Sequence, residues 1–325
     1  MVRKVANNLP AQSSILYLDQ NVIRYVTNLR DDNPGVSLGR VIDRGVEIGA
    51  LICPFSHEHF WETSAIRDDN KRRAQLAWLA SASRGASFLS REELVAAQLI
   101  ALVRPKVFEG SDFFCEVDVA ANEAVFREMK AALELKKKET QAYFSDYNLR
   151  RKKGRILKNI PGEVRRVGEL DVFFRGIADC IACHLVGHAV PADRPFGAEV
   201  LKVMIDEHGV QRAELEIILD QVISTKGHCA PLIRIQSKMH ESWMLEQKEM
   251  THNDVVDLHR ISTALPYADI LVVDAEQRRH LESTGLPAVF GTKVFSLELD
   301  SLVPLCDEIV LRIRRRMSYL NSLKT

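Results

Sequence analysis

Two aspartates follow apolar runs of the sequence, where a carboxylate could bind a metal ion. Asp19 comes directly after residues 14–18, and Asp274 directly after residues 270–273. Short, almost wholly apolar runs are typical of buried parallel strands, and open α/β sheets bind ligands beyond the carboxyl ends of their strands. Carboxylates that converge there repel one another unless a hard divalent cation neutralises them. The sequence therefore predicts an oxygen-ligand site for Mg²⁺ or Mn²⁺ at this edge.

Three further acids lie on helices that flank these strands. Glu62 belongs to the helix after the second predicted strand, and Asp254 and Asp257 belong to the helix before the next strand. Asp257 lies on an apolar helix face, where an unpaired carboxylate is costly. Asp254 follows Thr251 at the spacing of a capping box, so a structural role explains it equally well. These five acids are the predicted catalytic set. The predicted metal ligands are Asp19, Glu62, Asp257 and Asp274, with Asp254 as the alternative third acid.

Five polar residues near the acids are candidates for a supporting role. Ser56, His59 and Glu62 recur every three residues, which places them on one side of a helix. His259, two residues after Asp257, either orients a phosphate or has a structural role in its helix, with its ring nitrogens hydrogen-bonded within the fold. Asp269 is more typical of a turn or cap than of a ligand, and Asp19 itself could cap the following helix. The supporting set is Asn21, Ser56, His59, His259 and Asp269.

The cysteines and histidines do not form a convincing zinc or haem site. Cys180, Cys183 and His184 match the spacing of a haem-attachment motif, but no second Cys/His pair of suitable spacing lies nearby. His57 and His59 lack a third imidazole at matching spacing. We therefore interpret 172–190 as a core helix that carries small thiols on its apolar stripe.

A parallel sheet covered by helices is needed to position the acids. Strands are predicted at 14–19, 50–54, 269–274 and 293–297, alternating with helices, and this alternation indicates an α/β fold. Residues 71–250 show helical periodicity instead, with a capping box at Ser90 and Glu93. We predict a split α/β domain over 1–85 and 250–325, with a large, mainly α-helical insertion over 86–249.

Composition bounds the class of protein. The 325 residues carry 44 Lys and Arg against 44 Asp and Glu, and 46% are apolar, which excludes general disorder. There is no apolar run of membrane-spanning length and no signal-peptide segment at the start. We expect a cytoplasmic protein with reduced cysteines.

The order of these motifs resembles the PIN-domain family of metal-dependent nucleases. The resemblance rests on residues 15–21, on Ser56-x-x-His59-x-x-Glu62, on 253–259, and on 266–274. Val273 stands where the family often has a small hydroxylic residue, and the middle of the chain is far longer than a minimal PIN domain. The resemblance implies a Rossmann-like PIN sheet and hydrolysis of RNA phosphodiesters by metal-activated water.

A basic stretch in the middle of the chain predicts a nucleic-acid partner. Between residues 130 and 166, twelve Lys and Arg stand against four Asp and Glu, and aromatic residues among them could stack bases. We predict that this arm binds the backbone of RNA, with DNA not excluded. Its candidate contacts are Lys136, Lys137, Lys138, Arg150, Arg151, Lys152, Lys153 and Arg155.

Two other classes of function are compatible with the sequence. One is a non-catalytic module on a degenerate PIN scaffold that binds nucleic acid or protein, and the other is a structural component. A protein partner or a second copy of the chain is left open by the sequence.

Overall fold

The computed structural model describes residues 13–28, 34–105, 114–116, 138, 141, 172–245 and 251–323. Their contacts divide the chain into two compact units. Within the described ranges, the first unit comprises 13–28, 34–88, 114–116 and 264–323, and the second comprises 89–105, 138, 141, 172–245 and 251–263. Most of the described chain is helical.

Six strands are present in the described chain. They are β1 (Ser14–Leu18), β2 (Leu51–Ile52), β3 (Ala86–Phe88), β4 (Phe114–Glu116), β5 (Ile270–Val272) and β6 (Lys293–Phe295). Four form a parallel sheet in the order β2-β1-β5-β6, and β3 and β4 form an antiparallel pair. In the sheet, Leu16 pairs with Ile270 and Leu18 with Val272. The predicted α/β fold with a parallel sheet flanked by helices is confirmed.

Thirteen α-helices accompany these strands in the described ranges. They are α1 (Gln20–Val26), α2 (Pro34–Glu47), α3 (His57–Ser64), α4 (Asp69–Ser83), α5 (Arg91–Val103), α6 (Val172–Leu185), α7 (Pro195–Lys202), α8 (Arg212–Ser224), α9 (Pro231–Leu245), α10 (His252–Ala264), α11 (Ala275–Thr284), α12 (Leu286–Phe290) and α13 (Leu299–Ser322). A short π-helix, Val203–Glu207, continues α7. In the part of the chain that the structure describes, no helix combines the length and apolarity that crossing a membrane requires.

The core of the first unit lies between the sheet and its helices. Leu16, Leu51 and Ile270 from the strands are fully buried together with Ile42 of α2 and Ile309 of α13. Gly35 lets α2 pack closely against α1, because a Cβ at this position would collide with the backbone carbonyl of Tyr25. The position of the helix that follows Asp19 therefore depends on a residue without a side chain.

Charged residues join the amino edge of the sheet to α13. The Asp269 carboxylate accepts a hydrogen bond from the Ile15 N–H (2.9 Å) and contacts Arg312 (3.4 Å). Arg312 also donates to Glu308 (2.8 Å), which receives a second hydrogen bond from Lys293 (2.6 Å). Burial acts to raise the pKa of Glu308, but the hydrogen bonds from Lys293 and Arg312 outweigh it, so this pKa lies below its usual value. Each acid of this network therefore faces a cation.

Helices make up the second unit in its described residues. The capping box predicted at Ser90 and Glu93 is present at the start of α5, and this helix buries every side chain from Leu94 to Ile100. Arg104, just beyond α5, holds Glu214 of α8 through two hydrogen bonds of 2.6 and 2.5 Å. This contact lowers the pKa of Glu214 to about 2.

Sequence periodicity located some elements better than others. The four predicted strands of the sheet are confirmed with shorter bounds, and the predicted helix that carries Asp254 and Asp257 is α10. No element was predicted for α2 or α13, and α13 contains Pro304 in its second turn, where proline normally argues against a helix interior. The basic stretch 130–166, within the predicted helical region 71–250, lies outside the described residues, apart from residues 138 and 141.

Candidate functional site

The order in which the chain adds strands to the parallel sheet reverses between β1 and β5. From β1 the chain continues to β2 on one side, and from β5 it continues to β6 on the other side. The connections therefore diverge at the carboxyl ends of two neighbouring strands, which is the position where open parallel sheets bind ligands. Asp19 follows β1 and donates its N–H to Val272 at the end of β5 (2.8 Å). Asp274 lies two residues beyond Val272, so the structure places both aspartates at this edge.

Asp19 is buried and held by amide groups. Its side chain is at the start of α1 and only 3% of the residue is exposed. Oδ1 accepts a hydrogen bond from the Gln20 N–H (2.7 Å), and Oδ2 receives a longer one from the Asn21 amide (3.4 Å). Asp19 is therefore the N-cap of α1, and Asn21 lies beside its carboxylate as predicted for a supporting residue.

His59 holds the end of β1 in place. Its Nδ1 accepts a hydrogen bond from the Ser56 N–H (3.1 Å), and its Nε2 lies 2.7 Å from the Leu18 carbonyl oxygen. Because an N–H must donate and a carbonyl must accept, these partners assign a neutral ring with its proton on Nε2. The ring is 1% exposed and stacks on Tyr17, whose hydroxyl bonds to Ser56 (2.8 Å). Ser56 and His59 thus support the strand end next to Asp19, and the ring nitrogens are already committed.

Helix α3, which carries His59, also contacts Gln20, the residue after Asp19. The Gln20 amide donates to Thr63 at the end of α3 (3.0 Å) and to Gln75 of α4 (2.8 Å). Hydrogen bonds from α3 therefore reach both Leu18 and Gln20, the neighbours of Asp19 in the chain. Glu62, the residue before Thr63, is half-buried on this helix. Its backbone is thus fixed against the segment that carries Asp19.

Asp274 starts α11. Its Oδ1 accepts a hydrogen bond from the Gln277 N–H (2.8 Å), so Asp274 is an N-cap, and the residue is half-buried. In the part of the chain described by the structure, Asp274 makes no ion pair. Asp269, by contrast, lies at the opposite edge of the sheet, where it joins β1 to Arg312. The structure therefore separates Asp269 from Asp19 and Asp274.

The remaining predicted acids belong to the second unit, on α10. Oδ2 of Asp254 accepts hydrogen bonds from the Thr251 N–H (2.8 Å) and hydroxyl (2.6 Å), and the Thr251 hydroxyl bonds to the Asp254 N–H (3.3 Å). This is the capping box that the spacing of the two residues indicates. Asp257 forms an ion pair with Arg260 one turn later, and the two side chains are 16% and 7% exposed. Both acids therefore have structural partners on α10 or directly before it.

His259 also has a partner in the second unit. Its Nδ1 lies 3.1 Å from a guanidinium nitrogen of Arg91, and the same guanidinium lies over the ring of Phe196 at 4.9 Å from the centroid. The Arg91 guanidinium thus lies between the His259 imidazole and the Phe196 ring, which is a structural cation–π contact. His259 therefore joins α10 to α5.

The predicted metal ligands are divided between the units. Asp19, Glu62 and Asp274 lie in the first, and Asp254 and Asp257 lie in the second. Among all described residues there is no group of three or more Asp, Glu, His or Cys that could hold a metal ion. Mg²⁺ commonly uses one or two protein carboxylates and completes its shell with water and substrate phosphate. The oxygen-only pair Asp19 and Asp274 fits that kind of site, whereas Cys180 and Cys183 on α6 do not form one.

A cleft beside Asp19 was not predicted from the sequence. It lies in the first unit, has a volume of about 920 Å³, and begins at Asn21. Two cations line it, Arg24 of α1 and Lys71 of α4, whose side chains are exposed. Of the predicted basic arm, only Lys138 falls within the described residues, with an exposed side chain. The short distance in sequence between Asp19 and Arg24 is the only signal that could have indicated the cleft.

Comparisons of the chain with protein-family models, with curated proteins and with solved structures found no match.

Proposed function

We propose that this protein is a metal-dependent nuclease that hydrolyses RNA phosphodiester bonds at the carboxyl edge of its parallel sheet. The observation that supports this most strongly is the pair Asp19 and Asp274 at the point where the connections from β1 and β5 diverge. The resemblance to PIN-domain nucleases in the order of the acidic motifs agrees with this position.

Asp19 and Asp274 would hold Mg²⁺ or Mn²⁺, and water and substrate phosphate would complete the shell. Glu62 on α3, the remaining predicted acid of the first unit, would act through a bound water. The cation, when bound, supplies charge neutralisation at the phosphate and lowers the pKa of a coordinated water. The protein contributes fixed carboxylates. The Gln20 N–H and the Asn21 amide orient Asp19, and His59 prevents the end of β1 from shifting by its bond to Leu18.

The motif order in the sequence also names Asp254 or Asp257 as a further acid, and both belong to the second unit. Asp257 is bonded to Arg260, so its replacement changes an ion pair as well as a carboxylate. A loss of activity in Asp257→Asn alone would therefore not identify a ligand. The first unit offers the cleaner test.

The test measures cleavage of a fluorogenic RNA oligonucleotide in Mg²⁺ and in Mn²⁺. Asp19→Asn and Asp274→Asn should each lower the rate about 100-fold or more, since outer partners of metal ligands alone are worth 10–100-fold. Asp269→Asn is the matched control, because it removes a carboxylate of the same sheet at the opposite edge; circular dichroism verifies its fold, since it also loses the contact with Arg312. Cleavage that survives in both edge variants, or that falls equally in the control, would refute the proposed site.

The second candidate is a non-catalytic nucleic-acid-binding module. It is favoured by the structural partners that Asp19, Asp254, Asp257 and Asp274 already have. It predicts RNA binding that survives chelation and no cleavage in any divalent metal. Thermal unfolding with added Mn²⁺ separates the two, because only the nuclease should gain stability, and only while Asp19 is intact.

A further inference from the structure

The cleft beside Asp19 has the lining of an anion-binding site. Its ten lining residues include two cations and four side-chain amides, and none is acidic. The cations come from different helices, Arg24 from α1 and Lys71 from α4. Neither forms an ion pair with a carboxylate in the part of the chain that the structure describes. An anionic ligand would therefore meet uncompensated positive charge.

The acids next to Lys71 in sequence are occupied elsewhere. The Asp68 carboxylate caps α4 by accepting the N–H groups of Asn70 (3.0 Å) and Lys71 (3.2 Å). Asp69 forms an ion pair with Arg72 at 2.8 Å. Lys71 thus keeps its charge for the cleft, and the cap and the ion pair fix the first turn of α4 that carries it.

The cleft extends along α1 from the predicted catalytic edge. Asn21 donates to Asp19 and also lines the cleft, so the two features are continuous. Asn28, just beyond the end of α1, lines the far part. At a helical rise of 1.5 Å per residue, this stretch is roughly 10 Å long, which corresponds to about three nucleotides of a stacked strand. The half-buried ring of Tyr25 offers an aromatic surface between these ends.

We propose that this cleft binds the backbone of a single-stranded polynucleotide, with Arg24 and Lys71 each contacting a phosphate. A recessed groove of this size can take a few unpaired nucleotides, whereas a double helix presents its phosphates on a convex surface. The two cations on separate helices suit a chain of phosphates better than a single phosphate group. This inference rests on the proposed nuclease function, because it assigns the substrate strand that leads to Asp19.

Binding is measured on the full chain by fluorescence anisotropy of a fluorescein-labelled 12-nucleotide oligouridylate. Chelator is present, so that cleavage plays no part. Loss of two phosphate contacts should weaken binding about 25-fold at 0.1 M monovalent salt and should reduce the slope of log K against log salt by about 1.4. The variant is Arg24→Ala/Lys71→Ala. The control, Arg40→Ala/Arg73→Ala, removes two exposed cations of α2 and α4 that do not line the cleft, and it should bind within twofold of wild type.

Unchanged affinity and salt slope in the cleft variant would overturn the proposal, as would an absence of oligouridylate binding in wild type. Polyglutamate that competes as well as unlabelled oligouridylate would show a general anion site and would also overturn it. A base-paired probe should bind at least about tenfold more weakly than the single strand. Circular dichroism verifies the fold, and Arg24→Gln/Lys71→Gln provides a second pair that keeps polar side chains in place.

The outcome separates this inference from the proposed function. If wild type cleaves RNA and the cleft variant binds and cleaves equally well, the cleft assignment fails and the nuclease stands. If wild type does not cleave RNA in Mg²⁺ or Mn²⁺ and the cleft variant still loses binding, the proposed nuclease function fails and the cleft assignment stands. Asp19→Asn should keep its oligouridylate binding in either case.

Discussion

Removal of one partner of the Asp257–Arg260 ion pair should destabilise the second unit by about 3–5 kcal/mol. The Asp257 and Arg260 side chains are 16% and 7% exposed, so solvent screens little of the attraction between them. Two unit charges about 4 Å apart in an environment of effective dielectric about 20 attract each other by about 4 kcal/mol, which is the same order. Arg260→Met should cost less than Asp257→Leu, because the carboxylate it leaves behind is the more exposed partner.

Replacement of both residues should restore most of the stability. A hydrophobic pair of similar volume is often neutral relative to a buried ion pair, so Asp257→Leu/Arg260→Met should lie within about 1.5 kcal/mol of wild type. The coupling between the two single substitutions should then be about 4.5 kcal/mol or more. Such a value would show that the pair acts as a unit within α10.

Urea unfolding followed by tryptophan fluorescence can measure this cycle in one unit. The chain has three tryptophans, and Trp243 is fully buried in the second unit. With Trp61 and Trp78 replaced by Phe, Trp243 reports on that unit alone. A single substitution that costs less than about 1 kcal/mol, or a double variant no more stable than the singles, would refute the reasoning.

Three further perturbations follow from contacts of the structure. His59→Phe keeps the ring but removes the partner of two buried backbone groups, so urea unfolding should show a loss of about 2–6 kcal/mol. Glu214→Gln should be less stable than wild type at pH 7. Since the pKa of Glu214 is about 2 against an ordinary 4.5, this difference should persist down to about pH 4.5 and disappear as the pH falls towards 2; a constant difference would contradict the Arg104 contact. Gly35→Ala should lower the melting temperature by an amount equivalent to about 1–3 kcal/mol, because its Cβ would collide with Tyr25.

Local signals in the sequence were sufficient for several parts of the fold. The strands that precede Asp19 and Asp274 are short apolar runs, and all their residues except the half-buried Ile15 are buried. The capping boxes at Ser90 and Thr251 depend only on residues three apart. Such features involve neighbours in the chain, so a single sequence is enough to predict them.

Contacts between distant residues could not be predicted in the same way. Arg24 and Lys71 line one cleft because Gln20 and Gln75 join α1 to α4, and nothing in the sequence between them signals this bond. The role of His59 also depends on a contact with a residue that is distant in the sequence. Its spacing to Ser56 indicated a shared helix face, but its bond to Leu18 requires a strand that is 41 residues away.

The two edges of the sheet differ in why they carry acids. At the amino edge, Asp269 and Glu308 need their charge, because Arg312 and Lys293 are their partners. At the carboxyl edge, Asp19 and Asp274 act as N-caps, a role that Asn fulfils about as well as Asp. Capping therefore explains the hydrogen bonds of these two residues but not their negative charge. Substitution to Asn should keep the fold and remove only the charge, so a function lost in those variants is one that requires the carboxylates themselves.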